Sequence, residues 1–196
     1  MKVYIILGNT RKNSNTEALT RLFADEMIAR NVDVVITSLR EMSIQSCIGC
    51  DGCHSVFDSF GCNISDDMHK IADTAFTSDL IIFASPIYTW MPTPPLKAVM
   101  DRFYAFTKYP QGSVAFNLLK KQKIAMIATS GDDCTKNCDL FDEAVRRMSN
   151  FANLSYIGYL AALDNDVRNG ITEAVKDDVI KFADKCNNMS DTQEHF

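Results

Sequence analysis

An open three-layer α/β sandwich with a five-stranded parallel sheet is the fold class this sequence predicts. Three observations lead there. Short apolar runs rich in Val and Ile alternate with segments of helical periodicity along the chain, the pattern of parallel strands joined by crossover helices. The runs are apolar at successive residues, so both sheet faces are covered. A length of 196 residues suits one domain that buries its core without disulfide staples.

The elements follow in order. Lys2–Leu7 is a buried strand. Over 15–30, Leu19, Leu22, Phe23 and Met27 share one helical face. The second strand covers 32–38. A cysteine-rich loop occupies about 43–65, and a helix over 66–77 begins at a capping Asp66. The third strand, 80–85, is wholly apolar. The next helix carries Leu96, Val99, Met100, Phe103 and Tyr104 on one face, with Thr93 as N-cap and Pro94 at its first position. The fourth strand is 123–129, followed by a helix marked by Phe141, Val145 and Met148. The fifth strand is 154–160, and a closing helix over 172–187 turns Val175, Val179 and Phe182 inward. The domain therefore spans 1–187, with a loose polar tail over 188–196.

Charge and hydropathy exclude other classes. A net charge of −5 without a long basic run argues against nucleic-acid binding. No apolar run reaches membrane-spanning length, and the first residues turn polar too soon for a signal peptide. The expectation is a cytoplasmic protein whose thiols are kept reduced.

In such sheets ligands bind beyond the carboxyl ends of the strands, at a topological switch point. Three loops leave strands at that edge. The first, 8–16, runs Gly8-Asn9-Thr10-Arg11-Lys12-Asn13-Ser14-Asn15-Thr16. It puts hydroxyls, amides and two cations at a helix N-terminus, where free N–H groups favour an anion. It contains neither Gly-x-Gly-x-x-Gly nor Gly-Lys-Ser/Thr, so one terminal phosphate suits it better than a dinucleotide or a triphosphate. Read structurally, the same residues are a capping turn with Asn15 or Thr16 as N-cap, and both uses are compatible. The second loop, 85–95, carries Tyr88, the sole Trp90 and four prolines. It is either a stiff aromatic wall for a flat ring or a rigid connection covering the core. The third, Thr129-Ser130-Gly131-Asp132-Asp133, is either a plain turn or a backbone donor edge that approaches a heterocycle closely.

A phosphate site, an aromatic wall and a polar edge together describe a flavin mononucleotide pocket. With these three loops in this order, the chain resembles the NADPH-dependent FMN reductase family, and more narrowly its iron–sulfur flavoprotein branch. Residues 8–16, the segment Cys47 to Met68, and the stretch from Ser85 to Arg102 carry the resemblance. It implies a flavodoxin-like fold with strand order 2-1-3-4-5. It implies that Asn9, Arg11, Ser14, Asn15 and Thr16 hold the FMN phosphate. Pro86, Ile87, Tyr88, Thr89 and Trp90 would line the ring and ribityl side, and Thr129, Ser130 and Gly131 would close the remaining edge. Relatives commonly carry Ser-Pro where this chain has Asn9-Thr10, and often Gly in place of Ser14. The implied chemistry is hydride transfer from NAD(P)H to the flavin, then electrons to a quinone, nitro compound, free flavin or redox protein. No side chain need act as nucleophile, acid or base. The resemblance also implies a homodimer or homotetramer. The alternative is an FMN electron carrier or redox sensor without nicotinamide turnover. A small phosphatase would need a Cys in the first loop, and none lies there.

Four thiols stand together as Cys47-x2-Cys50-x2-Cys53, with Cys62 after an eight-residue gap. A structural disulfide does not suit the compartment. The spacing resembles the branch's [4Fe–4S] ligand set, with a longer last gap. Four thiolates also satisfy zinc, and relatives with part of this segment keep bare thiols. All three readings stay open at this point. Cys134 and Cys138 are four residues apart, either a redox pair or incidental thiols at a helix start; Cys186 belongs to the core. His54 adjoins Cys53, as a ligand or a solvent-facing loop residue.

Overall fold

The computed structural model describes residues 1–188. The expected tail therefore lies, beyond Asn188, outside the described residues. Five parallel strands form the sheet: β1 (Lys2–Leu7), β2 (Asp33–Ser38), β3 (Leu80–Pro86), β6 (Lys123–Ser130) and β7 (Ser155–Leu163). Their order is β2-β1-β3-β6-β7, all parallel. Skipping the small hairpin β4 (Thr107–Lys108) and β5 (Phe116–Asn117), this is the 2-1-3-4-5 order of the flavodoxin-like fold.

Side chains alternate across the sheet and fill two cores. Tyr4, Ile6, Ile81, Phe83 and Met126 face one layer, made by α2 (Met68–Phe76), α3 (Pro94–Arg102) and α5 (Asp139–Phe151). Val3, Ile5, Ile82 and Ile127 face the other, made by α1 (Asn15–Ala29) and α7 (Glu173–Asn187). This is why the strands read as continuous apolar runs. Cys186 sits in the second core as expected, and burial pushes its thiol up to about 12.

Several local expectations need correction. The cap of α1 is Ser14, whose hydroxyl accepts from the Glu17 N–H at 3.1 Å, and not Asn15 or Thr16. Helix α2 starts at Met68, two residues after the expected Asp66. The Asp66 carboxylate still accepts the Met68 N–H at 3.0 Å but spends its other oxygen on the cysteine loop. Thr93 stands at the N-cap of α3 without capping it, because its hydroxyl donates to the Gly8 carbonyl. Strands β6 and β7 run to Ser130 and Leu163, past the expected ends. Two short helices were not foreseen, α4 (Cys134–Asn137) and α6 (Asp164–Arg168), nor was the hairpin. Each is too brief to leave a periodic signal.

Candidate functional site

The strand order reverses between β1 and β3, and the loops after these strands meet there. They are locked by specific bonds. The Gly8 N–H donates to Ala84 O at 2.8 Å, Thr93 Oγ1 donates to Gly8 O, and the Thr93 N–H donates to Ser85 Oγ at 3.0 Å. A side chain at Gly8 would bring its Cβ to 2.7 Å from Leu96 Cβ and 3.0 Å from Thr93 Oγ1. Only glycine allows α3 to seat this closely. The third loop joins through Thr16 Oγ1 and Thr129 Oγ1, 2.7 Å apart and buried. Gly8→Ala is therefore expected to destabilise the protein by about 1–3 kcal/mol through overpacking, read from the urea midpoint.

The first loop is shaped from within. Asn9, buried to 1% exposure, donates through Nδ2 to Arg11 O at 2.7 Å, Ser14 Oγ at 3.0 Å and Glu17 Oε2 at 3.2 Å. Glu17 also accepts the N–H of Asn13, which stands at φ 52, and the Arg21 guanidinium at 2.9 Å. The hydrogen bond from Arg21 holds its carboxyl below the ordinary range. Glu17 thus acts as the loop's internal anion. Ser14 takes the Glu17 N–H, and Asn15 and Thr16 open the first turn of α1, whose N–H groups have no partner within the helix.

A cavity of about 70 Å³ is lined by Asn9, Thr10, Arg11, Ser14, Asn15, Thr16, Pro86, Ile87, Tyr88, Thr129 and Asp164. Nine of the thirteen residues expected at the cofactor site thus meet here. Its volume is well below the roughly 300–1,000 Å³ of pockets that hold a whole ligand. It suits one anionic end of a molecule whose remainder lies outside. Thr89, Trp90, Ser130 and Gly131 are not among its walls. They stand beyond it, with Trp90 49% exposed and nothing within 4 Å of a Cβ built on Gly131.

The aromatic loop is a tight hairpin. Tyr88 and Met91 exchange both backbone hydrogen bonds, 2.9 and 3.2 Å, around Thr89 at φ 50 and Trp90 at φ 62. Two central residues at positive φ are the signature of a type I′ turn, whose usual occupants are Asn and Gly. A β-branched residue and a tryptophan there cost about 1–2 kcal/mol each. The turn leaves Trp90 49% exposed, while Tyr88 Oη meets Thr10 Oγ1 at 3.2 Å. The double change Thr89→Asn with Trp90→Gly is expected to raise stability by about 1–2 kcal/mol, measured by urea unfolding, and to weaken binding of a flat ring.

Sequence reasoning missed Asp164, at the end of β7. Its Oδ1 accepts from Asn15 Nδ2 at 2.8 Å, and it forms the one acidic wall of the cavity. An acidic residue opening a short helix after the last strand was the available signal.

The cysteine loop lies between β2 and α2, irregular apart from one 3-10 turn at Gly52–Ser55. Cys47 and Cys50 are exposed, whereas Cys53 and Cys62 are half-buried and pack against the core. Among the described residues no three ligating side chains are arranged to hold a metal. His54 packs its ring against Tyr104 and Tyr109, at centroid distances of 4.8 and 4.9 Å. Cys134 and Cys138 are hydrogen-bonded neighbours; that bond lowers the Cys134 thiol and raises the buried Cys138 thiol.

A five-stranded parallel sheet in this order, with helices on both faces, defines an α/β protein of the flavodoxin-like class. The sequence model for NADPH-dependent FMN reductase matches residues 1–139, and the chain belongs to that family. It is 32% identical over 102 residues to an iron-sulfur flavoprotein of Methanocaldococcus jannaschii, covering 52% of this chain and 51% of that one. It is 34% identical over 104 residues to an iron-sulfur flavoprotein of Clostridioides difficile, covering 52% and 45%. The chain thus spans about half the length of these curated relatives. Among solved structures it is similar to an FMN-dependent NADH-azoreductase from Bacillus anthracis in complex with FMN, with a TM-score of 0.68 and 16% identity over 96% of this chain and 100% of that one. This last likeness concerns the fold alone.

Proposed function

We propose that this protein binds FMN at the switch-point edge and oxidises NAD(P)H, passing electrons to a quinone, free flavin or another small acceptor. The observation that carries this reading is the cavity of about 70 Å³ at the α1 N-terminus, beside the exposed Tyr88–Trp90 turn. The residues present fit FMN. The Asn15 and Thr16 N–H groups, the Ser14 and Thr10 hydroxyls and the Arg11 cation suit a phosphate. Asp164 repels a phosphate and accepts from hydroxyls, so it directs the polyol to its own side and the phosphate toward Arg11. Pro86, Ile87, Tyr88, Thr89 and Trp90 would flank the ring, and Thr129, Ser130 and Gly131 would approach its polar edge. Bound FMN would supply the hydride acceptance and electron release, and the chain's own groups bind, orient and tune it.

The test is steady-state NADPH and NADH oxidation with ferricyanide or a quinone. The reading expects turnover well above that of free FMN at equal concentration. Turnover equal to free FMN would remove the enzyme reading and leave the electron-carrier one. In this proposal the protein is cytoplasmic, since free thiols suit a reducing compartment. It is also a homodimer or homotetramer. The exposed aromatic surface of Tyr104, Tyr109 and Phe151 supports self-association, and light scattering checks it.

A second reading is favoured by the names of the curated relatives. Here the chain is an FMN protein that exchanges electrons through a [4Fe–4S] cluster at Cys47, Cys50, Cys53 and Cys62. The donor set has the right chemistry, four thiols on one loop. The loop would have to close on loading, and positive φ at Gly49, Asp51 and Gly61 marks where the backbone turns. Iron and sulfide analysis of anaerobically purified protein, with its absorption spectrum, separates this from a bare flavin protein.

A further inference from the structure

Cys134 and Cys138 play no part in either reading above. Cys134 opens α4 just after the third loop, and Cys138 stands at the joint where α4 passes into α5. The Cys138 N–H donates to the Cys134 carbonyl at 3.0 Å, so the two residues are one helical turn apart and their side chains share a face. Their thiols are hydrogen-bonded to each other. They differ in access. Cys138 is 0% exposed in the first core, whereas Cys134 packs against that core and is partly exposed. An oxidant arriving from solvent therefore meets Cys134 first, with the Cys138 sulfur directly behind it.

The surroundings favour attack by the outer sulfur. The bond from Cys138 stabilises a Cys134 thiolate and outweighs burial and the nearby Asp133, Asp166 and Asp164, so the net shift of this thiol is downward. Cys138 keeps its proton, held by the same bond and by burial. Burial pushes the thiols of Cys53 and Cys186 up as well. A disulfide is within reach of the backbone. Cα atoms one turn apart lie about 6 Å from each other, inside the roughly 4.4–6.8 Å that a disulfide spans. Cys138 has φ −95 and ψ −9, away from helical values, so the joint between two helices takes up the closure.

We propose that Cys134 and Cys138 form a peroxide-reactive dithiol, in which Cys134 attacks and Cys138 resolves. The co-reactant is a hydroperoxide. The Cys134 sulfur attacks one peroxide oxygen; an S–O bond forms, the O–O bond breaks, and the leaving oxygen takes up the proton that Cys134 gave to solvent. The Cys138 sulfur then displaces the hydroxyl of the sulfenic acid; an S–S bond forms, the S–O bond breaks, and water leaves with the Cys138 proton. The two sulfurs together lose two electrons and the peroxide gains them. An external dithiol returns the pair to its reduced form by exchange. The dithiol needs neither flavin nor metal.

The test uses trypsin, because Lys136 lies between the two cysteines. Cleavage places Cys134 on the peptide 124–136 and Cys138 on 137–146, each with no other cysteine, while Cys47, Cys50, Cys53 and Cys62 share the peptide 41–70. The full, reduced chain is treated with stoichiometric hydrogen peroxide, alkylated, digested and read by mass spectrometry. The expected result is loss of both free peptides and gain of one linked species, lighter than their sum by two hydrogens and separated again by dithiothreitol. Cys138→Ser is expected to abolish the linked species and carry Cys134 on to the sulfinic acid. If Cys138→Ser does not fold, Cys134→Ser, at the partly exposed position, must leave Cys138 a free thiol under the same treatment. Oxidation of Cys138 in that variant overturns the proposal. So does a wild-type Cys134 that stays a free thiol after Cys47 or Cys50 has been oxidised, or that becomes linked to the peptide 41–70 instead.

Discussion

Replacing Arg102 by methionine is expected to lower stability by about 3–5 kcal/mol, the range for breaking a buried ion pair from one side. The change would leave the Asp66 carboxylate buried without its cation, and release Gln45 O, Ile64 O and the Cys62 sulfur. Urea unfolding followed by circular dichroism measures it, and a loss within 1 kcal/mol would show that the pair does not anchor the loop. The same pair sets an acid limit. Burial raises the Asp66 carboxyl, but the Arg102 bond and the N–H groups of Gln45 and Met68 outweigh it, so the net shift is downward. A carboxyl lowered on folding contributes stability above its unfolded value of about 3.9, and that contribution is lost as pH falls through the lower folded value. Wild type should therefore keep this contribution at pH 5 and lose it below about pH 4.

Ser14→Asp is expected to weaken FMN binding about a thousandfold and to cost some stability as well, because the new carboxylate would share Asn9 Nδ2 with that of Glu17. Aspartate caps a helix as well as serine does, so α1 keeps its first turn. A carboxylate about 4 Å from a phosphate charge costs about 4 kcal/mol at an effective dielectric of 20, close to three decades in affinity. Flavin fluorescence titration reads the affinity, with the urea midpoint as control. Retained FMN affinity would move the phosphate away from Ser14 and out of this cavity. Riboflavin, which has no phosphate, should bind the variant and wild type alike.

Much of this arrangement is legible in the sequence because strand-end loops carry chemistry in order. Residue type leaves the loops 8–16 and 85–95 open between ligand walls and structural turns, the family resemblance favours the first, and a regular parallel sheet brings 9–11, 14–16 and 86–88 to one edge. The cap of α1 was read two residues late at most, because Ser14, Asn15 and Thr16 are all good caps and only the bond to Glu17 chooses among them. Asp164 escaped because its place depends on β7 running to Leu163, beyond the apolar run that marks the strand. The role of Thr93 was hidden by a long-range bond to Gly8, which no local pattern announces. Arg102 and Lys108 look like surface cations in sequence; their burial depends on how the cysteine loop folds over the first core. The type I′ turn was unreadable because Thr89 and Trp90 are the wrong residues for it, which local propensity would reject.

The central claim is that the α1 N-terminus is a phosphate subsite and that the ring lies outside it. Equilibrium titration of flavin-free protein with FMN and with riboflavin, under the same buffer without phosphate, tests it most directly. The account predicts that FMN binds at least about 100-fold more tightly, as one charge-assisted phosphate site of roughly 3 kcal/mol requires. Equal affinity for the two flavins, or binding of neither, would contradict it.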